Sequence, residues 1–231
     1  HDRRAVDLAL TPAGRMLADE LAQRERDQTD TLLGPLTEDQ RTIAIEAMSV
    51  LRHLVARPPV DGIDDRQPDV AIRPHRPGDL GWIAGRNGAV YADEFGWGDG
   101  YEALCAEIVA SFDRTYDPTC ERAFMVEIDG ARAGCALLIR RRGDDAPTDQ
   151  AQIRLVLVER WARGLGLGMR LVDECLDFAR AAGYGSIMLW TNDVLAAARR
   201  IYERAGFELV EETPHRSFGH DLVGQVWSRG L

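Results

Sequence analysis

Between Ala13 and Leu33 the apolar positions Met16, Leu17, Leu21 and Leu32 are interleaved with charged residues. Thr11-Pro12 ahead of them supplies a capping hydroxyl and a proline suited to a first helical turn, so the stretch predicts a helix. "GPLTEDQ" breaks it, with Thr37 placed to cap a second helix. There Ile43, Ala47, Val50, Leu51 and Leu54 recur at spacings of three and four and draw one apolar face. The alternation of "RRAVDLAL" over residues 3–10 predicts a short strand before both helices. Two amphipathic helices and one strand bury too little to form a core, so their apolar faces need additional chain or a partner chain.

Residues 58–69 hold prolines and acids with little to bury, and predict a linker between segments 1–57 and 70–231. From Val70 strands and helices alternate. "VAIRPH" predicts a strand; "PGDLGWIAGRNGAVYADEF" and Tyr101 to Arg114 predict two helices. "AFMVEIDGARAGCALLIRR" is strand, Asp-Gly turn, strand, the strongest hairpin signal in the chain. "DQAQIRLVLVE" predicts a longer strand, followed by a glycine-rich stretch and a helix ended by Gly183. "SIMLWTN" then predicts a strand, "LAAARRIYERAGF" a helix closed by Gly206, and "FELVEE" and "LVGQVWSR" two last strands. This order predicts a mixed α/β domain over residues 70–231.

The composition is ordinary for a folded protein, with 45% hydrophobic and 29% charged residues. No run of about 18 apolar residues is present and the first residues do not follow a signal-peptide order, so a soluble, cytoplasmic protein without membrane contact is expected. The four cysteines form no CxxC pair and are expected as buried thiols; no metal site is expected. A net charge of −10 argues against a chain-wide nucleic-acid surface. All 28 basic residues are arginine, so the chain cannot serve as its own lysine substrate. It opens at a histidine in mid-pattern and reads as the C-terminal part of a longer protein.

"RGLGLG", Arg163 to Gly168, carries the candidate chemistry. Counted from Gly164 or Gly166, the dinucleotide pattern G-x-G-x-x-G puts Met169 or Leu171 where its last glycine belongs, and no G-K-[ST] is present. A strand followed by glycines and a helix still suits an anion, because the first N–H groups of a helix are unpaired and carry partial positive charge. The residues themselves leave two readings, a diphosphate cradle or a tight turn.

Arg163-x-x-Gly166-x-Gly168 at a strand end, with Tyr202-Glu-Arg-Ala-Gly206-Phe207 about 34 residues after Gly168, resembles the GNAT superfamily of N-acetyltransferases. Its coenzyme A loop reads Q/R-x-x-G-x-G/A and its next helix ends Y-x-x-x-G-F. The resemblance covers residues 70–231 and implies a GNAT-like mixed β-sheet flanked by helices. "LWTN", "ARRIY" and "SFGHDLVGQ" further resemble acetyltransferase halves fused to MarR-type winged-helix regulators. By the same resemblance "DRRAVDLALTPAGR" looks like the end of a MarR wing and the start of a dimerisation helix, which implies a homodimer through these helices and DNA contact only in the full-length parent.

The resemblance implies acetyl-CoA as cosubstrate and no metal. It places Arg163, Gly164, Leu165, Gly166, Leu167 and Gly168 at the diphosphate, Leu157 and Val158 at the pantetheine arm through their backbone, and Tyr202 as the general acid that protonates the departing thiolate. Departures are Leu195 where many members have asparagine, with Asn192 as the possible substitute, Arg160 for a frequent proline, and Gln152 where histone-directed members carry a glutamate base.

An amine is mostly protonated at neutral pH and must lose a proton before it attacks a thioester. Candidate bases are Asp93, Glu94, Glu127 and Glu159, with Glu94 and Glu127 put first. Asp93, Glu94 and Trp97, joined by Asp99 and Tyr101, are candidates for an acidic, aromatic pocket that takes a cationic amine, which a solvated loop with Trp97 as a packed lid would equally explain. The expectation is N-acetyl transfer to a small-molecule or protein amine by direct attack in a ternary complex, behind the remnant of a MarR-like regulator. The alternative is a CoA-sensing regulator with little turnover.

Overall fold

The computed structural model describes residues 10–55 and 68–231 apart from residues 99, 144–146 and 148. The expected strand at residues 3–10 lies outside the described residues save Leu10, as does nearly all of the expected linker. The chain divides into two compact units, His1–Met48 and Ser49–Leu231.

In the first unit, helix α1 spans Pro12–Leu33 and α2 begins at Glu38, running to Val55 across the boundary. Thr11 caps α1 by accepting from the Gly14 N–H at 3.1 Å. At α2 the Thr37 N–H donates to Gln40 Oε1 and the Gln40 N–H to Thr37 Oγ1, a reciprocal capping box. No residue of α1 is buried, and Met16, Leu17, Leu21 and Leu32 stand exposed, as two helices that cannot form a core alone require.

The second unit takes in the end of α2, which the sequence pattern grouped with the first segment. Ser49 Oγ donates to the Ile128 carbonyl at 3.1 Å and Arg52 pairs with Asp129. The unit is built on a seven-stranded sheet in the order β1-β2-β3-β4-β5-β7-β6. The strands are β1 Val70–Pro74, β2 Arg122–Ile128, β3 Ala131–Arg140, β4 Gln150–Val158, β5 Ser186–Asn192, β6 Glu208–Ser217 and β7 His220–Gly230. All neighbours are antiparallel except β4 and β5, which are joined by the crossover helix α5, Leu167–Ala181. Asp129 and Gly130 both have positive φ, the backbone that a two-residue hairpin turn needs.

α5 buries Leu167, Leu171, Val172, Cys175, Leu176 and Ala179 on one face of the sheet, beside α6, Ala196–Arg204. α3, Asp79–Phe95, and α4, Tyr101–Thr115, cover the other face over Met125, Cys135 and Leu137. All four cysteines are buried and unpaired. The last two strands run longer than the sequence predicts. β6 is an edge strand, almost wholly exposed, so it lacks the apolar alternation that would have revealed its length.

Candidate active site

The parallel pair β4 and β5 is in register only from Gln150 and Ser186 to Ile153 and Leu189. Beyond Ile153 the strands part. The cause lies in β4: Leu155 has φ +50 and the register against β3 slips between Cys135 and Leu137, so two residues of β4 oppose one of β3. Such a bulge bends the strand and turns its edge away from the neighbour. Gly134 makes room for it, since a Cβ there would lie 2.6 Å from the Leu157 carbonyl oxygen.

The wedge between the strands is a cavity lined by Arg154 to Val156 of β4, Trp190 to Asn192 of β5, Tyr202 of α6, and Tyr91, Trp97 and Tyr101 from α3, α4 and their connection. Trp97 is 2% exposed and stacks within 5.3 Å of both Tyr91 and Tyr101. Phe218, at the tip of the β6–β7 hairpin, packs on Trp97 at 5.2 Å and on Tyr101 at 5.0 Å, so the hairpin and the α3–α4 connection close the cavity together. Trp97 is therefore a wall of the cavity. Asp99 lies outside the described residues.

At the other end of β4 a short 3-10 turn, Arg160–Ala162, leads into the glycine stretch. Gly164 and Gly166 have φ +85 and +73, and a Cβ on either would meet nothing within 4 Å. The glycines serve backbone direction there, and the space above them is open. Gly166 caps α5, and among the described residues no acceptor takes the N–H groups of Gly164, Leu165, Gly166, Leu167 or Gly168. The donors required of an anion cradle are thus present. Gly168 has a different role, because its Cβ would sit 2.7 Å from Ile201 Cδ1; it lets α5 approach α6. Leu165 is exposed at the tip, and Leu167 is buried in the core, so Leu167 offers only its backbone.

Arg163 does not direct its side chain freely into the cradle. Its guanidinium holds Glu94 at 2.7 and 3.0 Å, and its Nε donates to the Val158 carbonyl at 3.2 Å. Arg160 also binds Glu94, at 2.7 Å, and binds Asp93 at 2.5 Å. Burial by itself would raise the Glu94 carboxyl, but the hydrogen bonds and charges of Arg163 and Arg160 hold it below its ordinary value. Each carboxylate offered by the sequence as a base has a guanidinium partner. Glu127 pairs with Arg73 at 2.6 Å on β2, which β3 separates from β4 and the cavity, and Glu159 pairs with Arg86 at 2.5 and 2.9 Å. Among the described residues none of the four lines the cavity, which departs from the expected acidic pocket and from Glu94 or Glu127 as base. The reason is physical: on a chain with 28 arginines each of these carboxylates meets a guanidinium of complementary shape.

Tyr202 does line the cavity and is buried, its ring edge-on to Phe207 at 6.1 Å. Burial raises its phenol well above the ordinary value near 10, so it stays protonated across the working pH range. Asn192, at the end of β5, is buried on the cavity wall; its Oδ1 lies 2.9 Å from His215 Nε2, and His215 Nδ1 lies 2.9 Å from Ser217 Oγ. Leu195 stands beside it in the cavity wall. No group of three or more metal-ligating side chains occurs among the described residues. No helix of the described residues is long and apolar enough to cross a membrane.

Sequence reasoning missed Arg154, a half-buried cation in the cavity. Its signal was there to read, a lone arginine inside the apolar strand "QIRLVLV".

A family model described as acetyltransferase (GNAT) family matches residues 81–207, more than half of the chain. Mycothiol acetyltransferase of Beutenbergia cavernae is 33% identical over 104 residues, 45% of this chain and 33% of that protein. The Xenopus tropicalis protein camello is 31% identical over 85 residues, 37% of each chain. The chain thus spans about a third of the length of either relative. Among solved structures, yncA of Salmonella typhimurium, determined with acetyl-CoA, superposes with a TM-score of 0.59 at 22% identity over 70% of this chain and 94% of that one. Ribosomal-protein-alanine N-acetyltransferase of Brucella melitensis does so with 0.59 at 19% identity over 70% and 99%. At these identities the superpositions speak for a shared fold.

Proposed function

The chain belongs to the acetyltransferase (GNAT) family, and on that premise we propose that it transfers the acetyl group of acetyl-CoA to a primary amine bound in the cavity between β4 and β5. The observation that carries the reading is the wedge itself: a bulged strand leaves its neighbour and leads straight to a glycine loop whose N–H groups have no partner among the described residues.

The residues present suit this cosubstrate. The loop N–H groups from Gly164 to Gly168, at the positive end of α5, would hold the diphosphate. The backbone of Leu157 and Val158 along the open edge would hold the pantetheine arm. When bound, acetyl-CoA supplies an activated acyl carbon and a thiolate leaving group. The amine nitrogen forms the new N–C bond as the C–S bond breaks, the nitrogen gives its proton to water, and the sulfur takes one up.

Tyr202 has a narrower role than the full acid the family pattern suggests. An ordinary phenol at about 10 already stands above an ordinary thiol at about 8.5, and burial raises both, so Tyr202 keeps its proton while the sulfur leaves. A neutral phenol instead donates a hydrogen bond that steadies the charge developing on sulfur. Loss of such a bond costs about 1.5–3 kcal/mol, or roughly ten- to a hundredfold in rate.

Calorimetry with acetyl-CoA and a thiol-release assay test the reading. Tyr202→Phe is expected to slow transfer by that factor with acetyl-CoA affinity kept. Gly166→Asp is expected to lose affinity at least about tenfold, since it sets a negative charge in the anion cradle. Its Cβ meets open space but φ +73 strains any side chain, so Gly166→Asn, which carries the same strain without the charge, is expected to lose less. Full acetyl-CoA affinity in Gly166→Asp would return the loop to being a turn.

A further inference from the structure

The cavity holds one charge, and it is positive. Among the described residues its walls are aromatic, aliphatic or neutral polar, with no carboxylate and no imidazole beside Arg154. Arg154 is paired across the ladder with Leu137, which packs under α3 and α4, so its side chain lies on the face covered by those helices and near Tyr101 and Cys105. It makes no hydrogen bond or ion pair among the described residues, unlike Arg73, Arg86, Arg160 and Arg163, each of which holds a carboxylate.

A guanidinium taken partly out of water with no counter-charge is costly, and a partner anion offsets that cost. Burial lowers Arg154 from its ordinary value, opposed only by the Cys105 thiol and Tyr101 phenol. The planar, two-pronged donor set of arginine matches a carboxylate.

We propose that Arg154 receives a carboxylate of the acceptor, and that the acceptor is an amine of amino-acid type with an apolar body. This rests on the acetyl-transfer reading for the location of the amine. Tyr91, Trp97 and Tyr101, with neighbouring ring centroids 4.9 to 5.3 Å apart, form the wall against which the apolar body packs. The same charge repels a second ammonium, which disfavours polyamines.

The test pairs each amino acid with its decarboxylated amine, using phenylalanine, leucine and methionine against phenethylamine, isoamylamine and 3-(methylthio)propylamine, in thiol release by the full chain. The wild type is expected to favour the carboxylate member by roughly ten- to a hundredfold in kcat/KM. Arg154→Met is expected to bring the ratio within about threefold of unity, with acetyl-CoA affinity unchanged and a melting temperature no lower than wild type, since an unpaired charge is removed from a half-buried site.

Tryptophan fluorescence titration with N-acetylphenylalanine and N-acetylphenethylamine gives a readout without turnover. Saturable binding of the acid alone, lost in Arg154→Met, supports the proposal. Equal binding of both, binding of neither, or an unchanged ratio in Arg154→Met overturns it, as does a melting temperature that falls by several degrees because Arg154 is structural. Absence of acetyl-CoA binding with retained binding of the acid would sink acetyl transfer and leave the anion site standing.

Discussion

Gly134→Ala probes the feature on which the cavity depends. Gly134 faces Val158 across the β3–β4 ladder, beside the bulge, and an added methyl would lie 2.6 Å from the Leu157 carbonyl oxygen, inside the 3.0 Å that Cβ atoms essentially never breach and the 3.4 Å at which ordinary contact begins. The obstacle is backbone, so no rotamer change relieves it, and β4 must retreat by roughly 0.4–0.8 Å. Overpacking of this kind costs about 1–3 kcal/mol. Alanine returns about 0.4–1 kcal/mol by restricting the unfolded chain. A net loss of about 1–2 kcal/mol corresponds to a fall of about 2–8 °C in melting temperature for a unit of this size. Because the retreat moves the backbone at Leu157, acetyl-CoA affinity is expected to weaken by about two- to tenfold. Differential scanning calorimetry and titration calorimetry read the two effects. Gly81→Ala in α3 is the control: its Cβ meets nothing within 4 Å, so it is expected to melt at or above wild type with affinity kept. If Gly134→Ala behaves like Gly81→Ala in both measurements, the close approach of β3 to the bulge is not what shapes the cavity.

Glu94, held below its ordinary value of 4.5, adds stability that is present above pH 4.5 and is lost as pH falls through its lower folded value. Glu94→Gln should accordingly be less stable than wild type near neutrality, with the difference closing in acid urea titrations; a constant difference down to pH 3 would refute the ion pair. The buried thiols, with Cys105 pushed up to about 11 and Cys135 to about 12 by burial, are expected to ignore Ellman's reagent until the protein unfolds, and rapid labelling of the native chain would contradict their burial. With no base among the described cavity residues, kcat/KM for an amine is expected to rise about tenfold per pH unit up to the acceptor's own pKa; a plateau set instead by an enzyme group near pH 5–6 would reveal a base. If a second copy covers the exposed leucines of α1, then Leu17→Arg with Leu21→Arg converts a dimer to a monomer in sedimentation equilibrium, and a wild-type chain that is already monomeric at about 10 μM removes that expectation.

What could be read along the chain was local. Thr11 and Thr37 as caps, Asp129-Gly130 as a turn, Gly183 and Gly206 as helix ends, and the buried stripe of α5 each depend on residues within a few positions, so spacing exposes them. The glycine loop and Tyr202 were found as a pair because two short motifs at that separation resemble those of a known family. The edge strand β6 was underread because its exposed faces carry no apolar alternation.

Side-chain partnership is different in kind. Asp93, Glu94, Glu127 and Glu159 look alike as free carboxylates in sequence, and only the tertiary structure joins each to an arginine far away, Glu94 to Arg163 across 69 positions and Glu159 to Arg86 across 73. Arg154 is the converse, one arginine among 28 until folding places it in a cavity with no counter-charge among the described residues. Hydrophobic period and turn chemistry are properties of neighbours along the chain, so the sequence alone determined most of the elements, and the resemblance of two motifs to a known family pointed to the rest. Charge pairing and strand splay are set by Coulomb and steric contacts between distant segments, and only the tertiary structure decided which groups are left to meet a substrate.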